Sequence, residues 1–449
     1  MKKLFVSLAM VAVAVTSCQK EYVSNDAPKQ NQSVELPNSN TRSYDEALAI
    51  AEDALKLLES DETRSTTKRV IKRGEGQTVM RPVTRGGEVN DEPIMYVFNN
   101  EDNMGFTVVA ANKTVDPLIA VTEQGNYTYG NSSGVEPFDL YIEELSSQLM
   151  SLPNPIPLPD QPIVPTPVYL VDTLYYNYSK VDAMLTTKWG QRGIYGKLCP
   201  NGVSGCSNTA AVQIMAHHRH PDILFTTYRG ANNFDAIVVD WDGVLRHTEG
   251  IGVYNTSNNT YECNCGCNHE HISILMREVG YRSNTNYGVG ASGADEPYIR
   301  NTLYVLGFGN PVIAEGISLE DYQGVIFEDL DNERPLFVSG FDAAGGHAWV
   351  IDGYIHKSWC FDYYVSNPNY NPNVVYNPEP QYIFERRVER ESNMLHFNWG
   401  WDGNCDGWFT YGCFAPGDSD HYDDETETNQ SNYNFEFGVN LIYNIQPRL

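Results

Sequence analysis

Positive charge is what this chain lacks most. Thirty Lys and Arg stand against 58 Asp and Glu, a formal net charge of −28 over 449 residues. No basic face able to neutralise a run of phosphates can be built from that balance, which excludes a nucleic-acid partner. The acidity concentrates late, in Asp418–Glu427, and reads as a solvated loop. A membrane-spanning run is missing at the N-terminus too. Met1-Lys2-Lys3 precedes the apolar stretch Leu4–Val15, which has the build of an export signal and is too short for a mature span. There are no internal repeats. The glycine-rich Tyr287-Gly288-Val289-Gly290-Ala291-Ser292-Gly293 has no lysine or Walker spacing behind it, which argues against phosphate binding.

What is present begins with Val15-Thr16-Ser17-Cys18. Small residues ahead of a cysteine resemble a bacterial lipoprotein cleavage site, with Cys18 acylated as the membrane anchor; a plain secretory signal with an incidental cysteine is the alternative. Gln19 carries no inner-membrane retention signal, so the expected location is the outer membrane, or outside the cell after processing. Residues 1–18 are then signal, and the polar residues 19–42 a disordered tether. Residues 43–152 read as a small α+β domain without cysteine. Ser43 and Glu46 make a capping box for an amphipathic helix over Ser43–Ser60. Residues 61–93 are basic and irregular. Strands are predicted at Ile94–Phe98, Phe106–Ala110 and Leu118–Val121, and a second helix near Phe138–Leu152. Seven prolines between Pro153 and Pro167 make an extended linker, 153–167, and the best domain boundary.

The chemistry lies beyond it, in 168–449. Gly205-Cys206-Ser207-Asn208-Thr209-Ala210-Ala211 opens a run of good helix formers that Pro221 stops, with an apolar stripe at Ala211, Ile214, Met215 and His218. A thiol at a helix N-terminus sits where the macrodipole favours negative charge. Gly346-His347-Ala348-Trp349-Val350-Ile351 reads as a turn feeding a buried strand, and His347 lies 141 positions after Cys206, a separation at which a protease cysteine and histidine meet in space. Asn398 can orient the imidazole with its amide, and Trp399 can shield that bond. Gln191 offers an oxyanion donor beside the Cys206 N–H. His217, His218 and His220 follow the helix away from the thiol and read as packing or surface residues, and Cys199 sits in a Pro-Gly loop.

Trp189-Gly190-Gln191, Gly205-Cys206, Gly346-His347-Ala348 and Asn398-Trp399-Gly400-Trp401, in this order, resemble the streptopain family of papain-fold cysteine proteases. The resemblance covers roughly residues 168–410. It implies a papain-like, two-lobed α+β protease preceded by a small α+β inhibitory prodomain. It also implies a secreted or surface cysteine endopeptidase made as a zymogen, acting on protein or peptide substrates without a cofactor. Cys206, His347, Asn398, Gln191 and Trp399 form the implied site. The cathepsin-type cysteine signature is absent. The 51 positions between His347 and Asn398 exceed the family's short span and imply an insertion near 356–392, with 364–382 as irregular loop. A cell-wall peptide amidase with the same Cys/His core, or an inactive surface lipoprotein, are the rival readings.

Nine cysteines in an exported chain point to disulfides; without Cys18 and Cys206 the remaining number is odd. Cys263, Cys265, Cys267, His269 and His271 alternate along one segment, and in an extended strand they converge as candidate zinc ligands. Their spacing is tighter than that of structural zinc sites, and a surface loop with partial disulfides is the plainer expectation.

Overall fold

In the computed structural model the described residues are 41–59, 69–81, 92–113, 115–151, 169–226, 236–246, 253–255, 260–262, 267–288, 292–341, 346–370, 380–411 and 439–448. The stretches expected as signal (1–18) and proline-rich linker (153–167), the acidic run, and the expected tether up to residue 40 lie outside them. Arg42, at the end of that expected tether, is instead tied to the Ala110 and Ala111 carbonyls.

The capping box forms as read. The Glu46 carboxylate accepts the Ser43 N–H at 2.7 Å, and the Ser43 hydroxyl accepts the Glu46 N–H at 3.2 Å. It starts α1 (Tyr44–Glu59), which buries Ala47, Ala51, Ala54 and Leu55. Four antiparallel strands follow: β1 (Gln77–Met80), β2 (Pro93–Asn99), β3 (Phe106–Ala110) and β4 (Leu118–Thr122). β1 falls inside the stretch expected to be irregular. Alternate residues take opposite faces of this sheet. Tyr96, Phe98, Val109 and Val121 pack with α1, while Met95, Val97, Phe106 and Val108 pack with α2 (Glu136–Ser151) through Phe138, Tyr141 and Ile142.

After the linker come β5 (Tyr169–Val181) and α3 (Cys206–His217). Three two-stranded ribbons follow, β6 (Ile223–Phe225) with β7 (Ala236–Val238), β8 (Val253–Asn255) with β9 (Thr260–Glu262), and β10 (Asn286–Tyr287) with β11 (Ser292–Gly293). Between and after them lie α4 (Trp241–Leu245), α5 (His269–Arg282) and α6 (Glu296–Val305). The rest is mainly strand: β12 (Val312–Ile317), α7 (Gln323–Asp331), β13 (Leu336–Phe341), β14 (Gly346–Ser366), β15 (Tyr382–Asn398), β16 (Gly407–Thr410) and β17 (Val439–Tyr443). Helices α3 to α6, with the short ribbons between them, make one lobe and the large sheet the other, which is the papain-like division. α3 is the hinge of the packing. Every residue from Ser207 to Ala216 is buried, so the helix is covered on all sides rather than along one stripe.

The sheet order is β1-β2-β3-β4-β16-β15-β14-β13-β17-β12, with β5 added to β14. The N-terminal domain is therefore not a separate body. β4 pairs with β16, Thr122 opposite Gly407 and Ala120 opposite Phe409, so one sheet runs through both parts. They also share a core, in which Phe138 and Tyr141 meet Phe409 and Phe409 meets Phe397 and Trp399. The insertion near 356–392 is mostly regular. β14 and β15 continue as a long hairpin, and β5 pairs with β14 from Tyr354 to Val365, giving a three-stranded arm. Of the expected loop, residues 364–366 belong to β14, Tyr382 opens β15, and 371–379 lie outside the described residues.

Candidate active site

Gly205 precedes α3 with φ of 93°, and a side chain there would strike the Ser292 carbonyl at 2.6 Å. Both constraints demand glycine. Cys206 is then the first helical residue and remains partly exposed. Burial alone raises the Cys206 thiol, but the facing His347, by charge and hydrogen bond, outweighs it together with the backbone groups of Ala348 and Ser207. The net effect holds the thiol below its ordinary value. His347 is the second residue of β14, fixed opposite Gly340 of β13, so the two lobes bring thiol and imidazole together.

The imidazole is held differently from expectation. His347 Nε2 lies 2.9 Å from the backbone carbonyl of Trp399. A carbonyl only accepts, so Nε2 carries the proton and Nδ1 is left to exchange one. The Asn398 amide, expected to bond the ring, is turned elsewhere. Its nitrogen donates to Thr187 O at 2.8 Å, and its oxygen accepts from Gln213 Nε2 at 2.9 Å and from the Gly400 N–H at 3.2 Å. The Trp399 indole is fully buried against Trp349, Phe397 and Phe409, and the rings beside the imidazole are Trp349 and Trp401. Asn398 and Trp399 thus adjoin the site, but the contact to His347 is made by main chain. Gln191 lies in the loop before the thiol, where its carbonyl accepts the Ser204 N–H at 2.9 Å.

Other candidates fall away from this centre. Cys199 is buried, and burial raises its thiol. His218 is half-buried at the far end of α3, where desolvation pushes it down to about 4, and His220 packs edge-on to Phe308. Cys263 and Cys265 lie outside the described residues. Cys267 is disulfide-bonded and has no thiolate to give. His269 and His271 occupy the first turn of α5, where residues two apart diverge instead of aligning as in a strand. The His271 ring accepts the Asp240 N–H at 3.0 Å.

Two groupings escaped the sequence. Gln213, fully buried in α3, bonds Thr187, Trp189 and Asn398. Its signal was an amide between Val212 and Ile214-Met215, where a polar group needs partners. The second is ionic. His396 of β15 is bonded to Asp352 at 2.6 Å, and its other nitrogen lies 3.5 Å from Glu123, an ion-pair distance too long for a good hydrogen bond. Glu123 also meets Lys188 at 2.9 Å. Burial works against the imidazolium, but Asp352 and Glu123 prevail and push His396 up to about 10. Burial likewise opposes the Glu123 carboxylate, yet His396 and Lys188 hold it well below the usual range. Nearby Asp406, raised by burial to about 7, accepts the Trp399 N–H at 2.8 Å.

A cysteine at a helix N-terminus facing a strand histidine across two lobes defines a papain-like cysteine peptidase, here with a further domain docked on its sheet. The peptidase C10 profile matches residues 189–409, and the Spi protease inhibitor profile matches 22–147. The chain belongs to the peptidase C10 family and is a cysteine-type endopeptidase. Streptopain of Streptococcus pyogenes serotype M1 is 24% identical over 357 residues, 74% of this chain and 77% of streptopain. The thiol protease/hemagglutinin PrtT of Porphyromonas gingivalis is 23% identical over 345 residues, 73% of this chain and 35% of PrtT. In fold the chain is similar to a prointerpain A fragment of Prevotella intermedia, with a TM-score of 0.50 at 19% identity, covering 83% of this chain and all of the fragment. Among the described residues no helix is long and apolar enough to cross a membrane.

Proposed function

We propose that the chain is a zymogen whose protease domain, residues 168–449, hydrolyses peptide bonds of proteins through Cys206 and His347. The carrying observation is the lowered thiol at the start of α3, facing an imidazole whose Nε2 is fixed on the Trp399 carbonyl. The Cys206 thiolate attacks the peptide carbonyl carbon. The oxyanion is received by the Cys206 N–H and the Gln191 side chain. His347 Nδ1 gives its proton to the leaving amine, and water, activated by the same nitrogen, releases the acyl group and restores the thiolate. Asn398 and Trp399 hold the imidazole through the main chain.

Residues 43–152 act as the inhibitory prodomain. They dock on the loop after Trp399: Cys405 N–H donates to Gln124 O at 3.3 Å, and Glu123 N–H to Asp406 O at 2.8 Å. The segment that supports the imidazole is thereby covered by the part to be removed. Maturation ends with a cut near Leu158–Tyr169 made by the enzyme itself. Exposed linkers are preferred sites of nicking, and after Lys113 the next Lys or Arg is Lys180, so basic-specific proteases have no site there. A cut ahead of β5 leaves that strand paired to β14 in the mature domain. The same cut separates the enzyme from a lipid anchor on Cys18.

The test is Cys206→Ala. The variant keeps its fold, loses casein hydrolysis, does not mature alone under reducing conditions, and is cut near 160–170 when active enzyme is added. Substantial residual hydrolysis of casein would sink the assignment, and turnover of peptidoglycan fragments without casein would move it to an amidase. For the anchor, Cys18→Ala releases soluble protein from the membrane fraction; continued detergent-sensitive attachment would remove lipidation from the account.

A further inference from the structure

We infer that Gln213 is a positioning residue for His347, acting through the Asn398 side chain and the Trp399–Gly400 peptide. The inference rests on the Cys206–His347 reading above and deepens it. Gln213 lies seven residues after Cys206, two helical turns along and on the same face of α3, about 10 Å below the thiol. At that depth it crosses the seam between the lobes.

The orientation of each amide follows from its partners. Gln213 Oε1 receives the Trp189 N–H at 3.3 Å, and a backbone N–H only donates, so this atom is the oxygen. It also receives the Thr187 hydroxyl at 2.9 Å. The nitrogen of Gln213 therefore faces Asn398, 2.9 Å from Oδ1. Asn398 is fixed in the same way, because its nitrogen meets the Thr187 carbonyl and its oxygen meets the Gly400 N–H. Neither amide can flip without placing two donors or two acceptors face to face.

The Gly400 N–H and the Trp399 C=O belong to one planar trans peptide and point in opposite directions. Holding the N–H on Asn398 aims the carbonyl at His347 Nε2, 2.9 Å away. Asp406 holds the preceding Trp399 N–H, and the indole N–H is fixed on the Cys405 carbonyl at 3.1 Å. Gly400 has φ of 72°, the left-handed conformation this peptide orientation requires. Gln213 closes the path on the helix side. It ties the element that presents the thiol to the peptide that orients the imidazole, and it ties both to the Trp189-Gly190-Gln191 loop.

The decisive variant is Gln213→Glu. It keeps acceptors for Thr187 and Trp189, but it has no donor for Asn398 once ionised. Burial favours the neutral acid, whose O–H can still donate, so activity and profiles are compared on the alkaline side as well. The full-length chain carrying it is processed under reducing conditions, and active sites are counted by epoxide labelling at Cys206. The expected result is a kcat/KM about 10- to 100-fold lower per labelled site, chiefly in kcat, the scale on which small misplacements act. The pH profiles of kcat/KM and of Cys206 alkylation by iodoacetamide should both be displaced, because a loosened imidazole holds the thiolate less well. A merely structural glutamine would change thermal stability and leave those profiles in place, which would overturn the inference. Thr187→Val is the second variant. It removes one of the two donors to Gln213 Oε1, and a loss of about threefold with the same displacement is expected; if Gln213→Glu does not fold, an unshifted profile here is overturning by itself. Cys206→Ala is run in parallel. Retained activity there condemns the site reading, whereas an inactive Cys206→Ala with wild-type profiles for the other two condemns only the role of Gln213.

Discussion

Two polar groupings meet near the end of β15, one through Asn398 and one through His396, and they are made of different chemistry. On the helix side, Gln213, Asn398 and Thr187 form a neutral network in which each member belongs to the protease lobes. On the sheet side, Asp352, His396, Glu123 and Lys188 form an ionic network, and Glu123 belongs to the inhibitor-like domain. Neutral amides in fixed geometry need no partner outside the protease lobes and survive maturation unchanged. On the proposed maturation, the ionic network loses a carboxylate as the N-terminal domain leaves. The first suits permanent positioning of His347; the second suits a contact made to be broken.

The largest expected effect comes from breaking the neutral side. Asn398→Ala leaves the Gly400 N–H, Gln213 Nε2 and the Thr187 carbonyl without this partner in a buried part of the molecule. Unsatisfied buried groups cost about 1–3 kcal/mol each, partly relieved by water entering the gap. A loss of about 3 kcal/mol in unfolding free energy is expected, equal in precursor and mature enzyme, with kcat/KM at least about 100-fold lower. Denaturant unfolding of both forms checks it; a loss confined to the precursor would dissolve the distinction between the two networks.

Glu123→Gln makes the opposite split. It removes the charge facing His396 and Lys188 and is absent from the mature chain, so only the precursor responds. Glu123 remains partly exposed, which limits the effect to about 1 kcal/mol. Faster self-processing should accompany it. Its pH dependence follows from the two shifts. Glu123 is depressed in the fold, so its contribution is full above its unfolded value of about 4.3 and fades as pH falls. His396 is raised to about 10, so its contribution is full below its unfolded value of about 6.5 and is lost as pH rises through about 10. The stability gap between wild-type and Glu123→Gln precursors should be full above about pH 4.5, stay level while His396 is protonated in both folded proteins, and narrow as pH rises toward about 10. A gap that keeps growing toward pH 9 would contradict the ionic reading.

Much of this was legible in the sequence, for local reasons. Ser43 with Glu46, the run Phe106–Ala110 and the glycine before Cys206 carry their structure in adjacent residues. Asn398 was legible as a residue but not as a geometry, because its route to His347 runs through the peptide plane that follows it. β1 was hidden in a stretch read by its basic composition, and the arm was hidden because β5, β14 and β15 stabilise one another across distant parts of the chain. His396 had only a pattern signal. In Met394-Leu395-His396-Phe397-Asn398 it shares the alternate face with Asn398, while Leu395 and Phe397 take the apolar face. That Glu123 supplies its second carboxylate follows only from β4 pairing with β16, and nothing in either segment names the other.

The smallest effect expected is at Lys188, the outer end of the ionic network. Its side chain is about one-third exposed, as is Glu123, so water already screens the 2.9 Å pair. Lys188→Met keeps the aliphatic stem, which lies beside Gly403, and removes only the charge. Ion pairs of this exposure contribute about 0.5 kcal/mol, and His396 still faces Glu123 after the change. The expected outcome is a precursor destabilised by about that amount and a mature enzyme with unchanged kcat/KM. The salt dependence is the sharper readout. Screening by about 0.5 M salt should shrink the difference between wild-type and variant precursors, since exposed pairs lose their attraction as the Debye length shortens. A difference that persists at high salt would mean that Lys188 acts through packing on Gly403, and that the charged side of the comparison is confined to His396, Asp352 and Glu123.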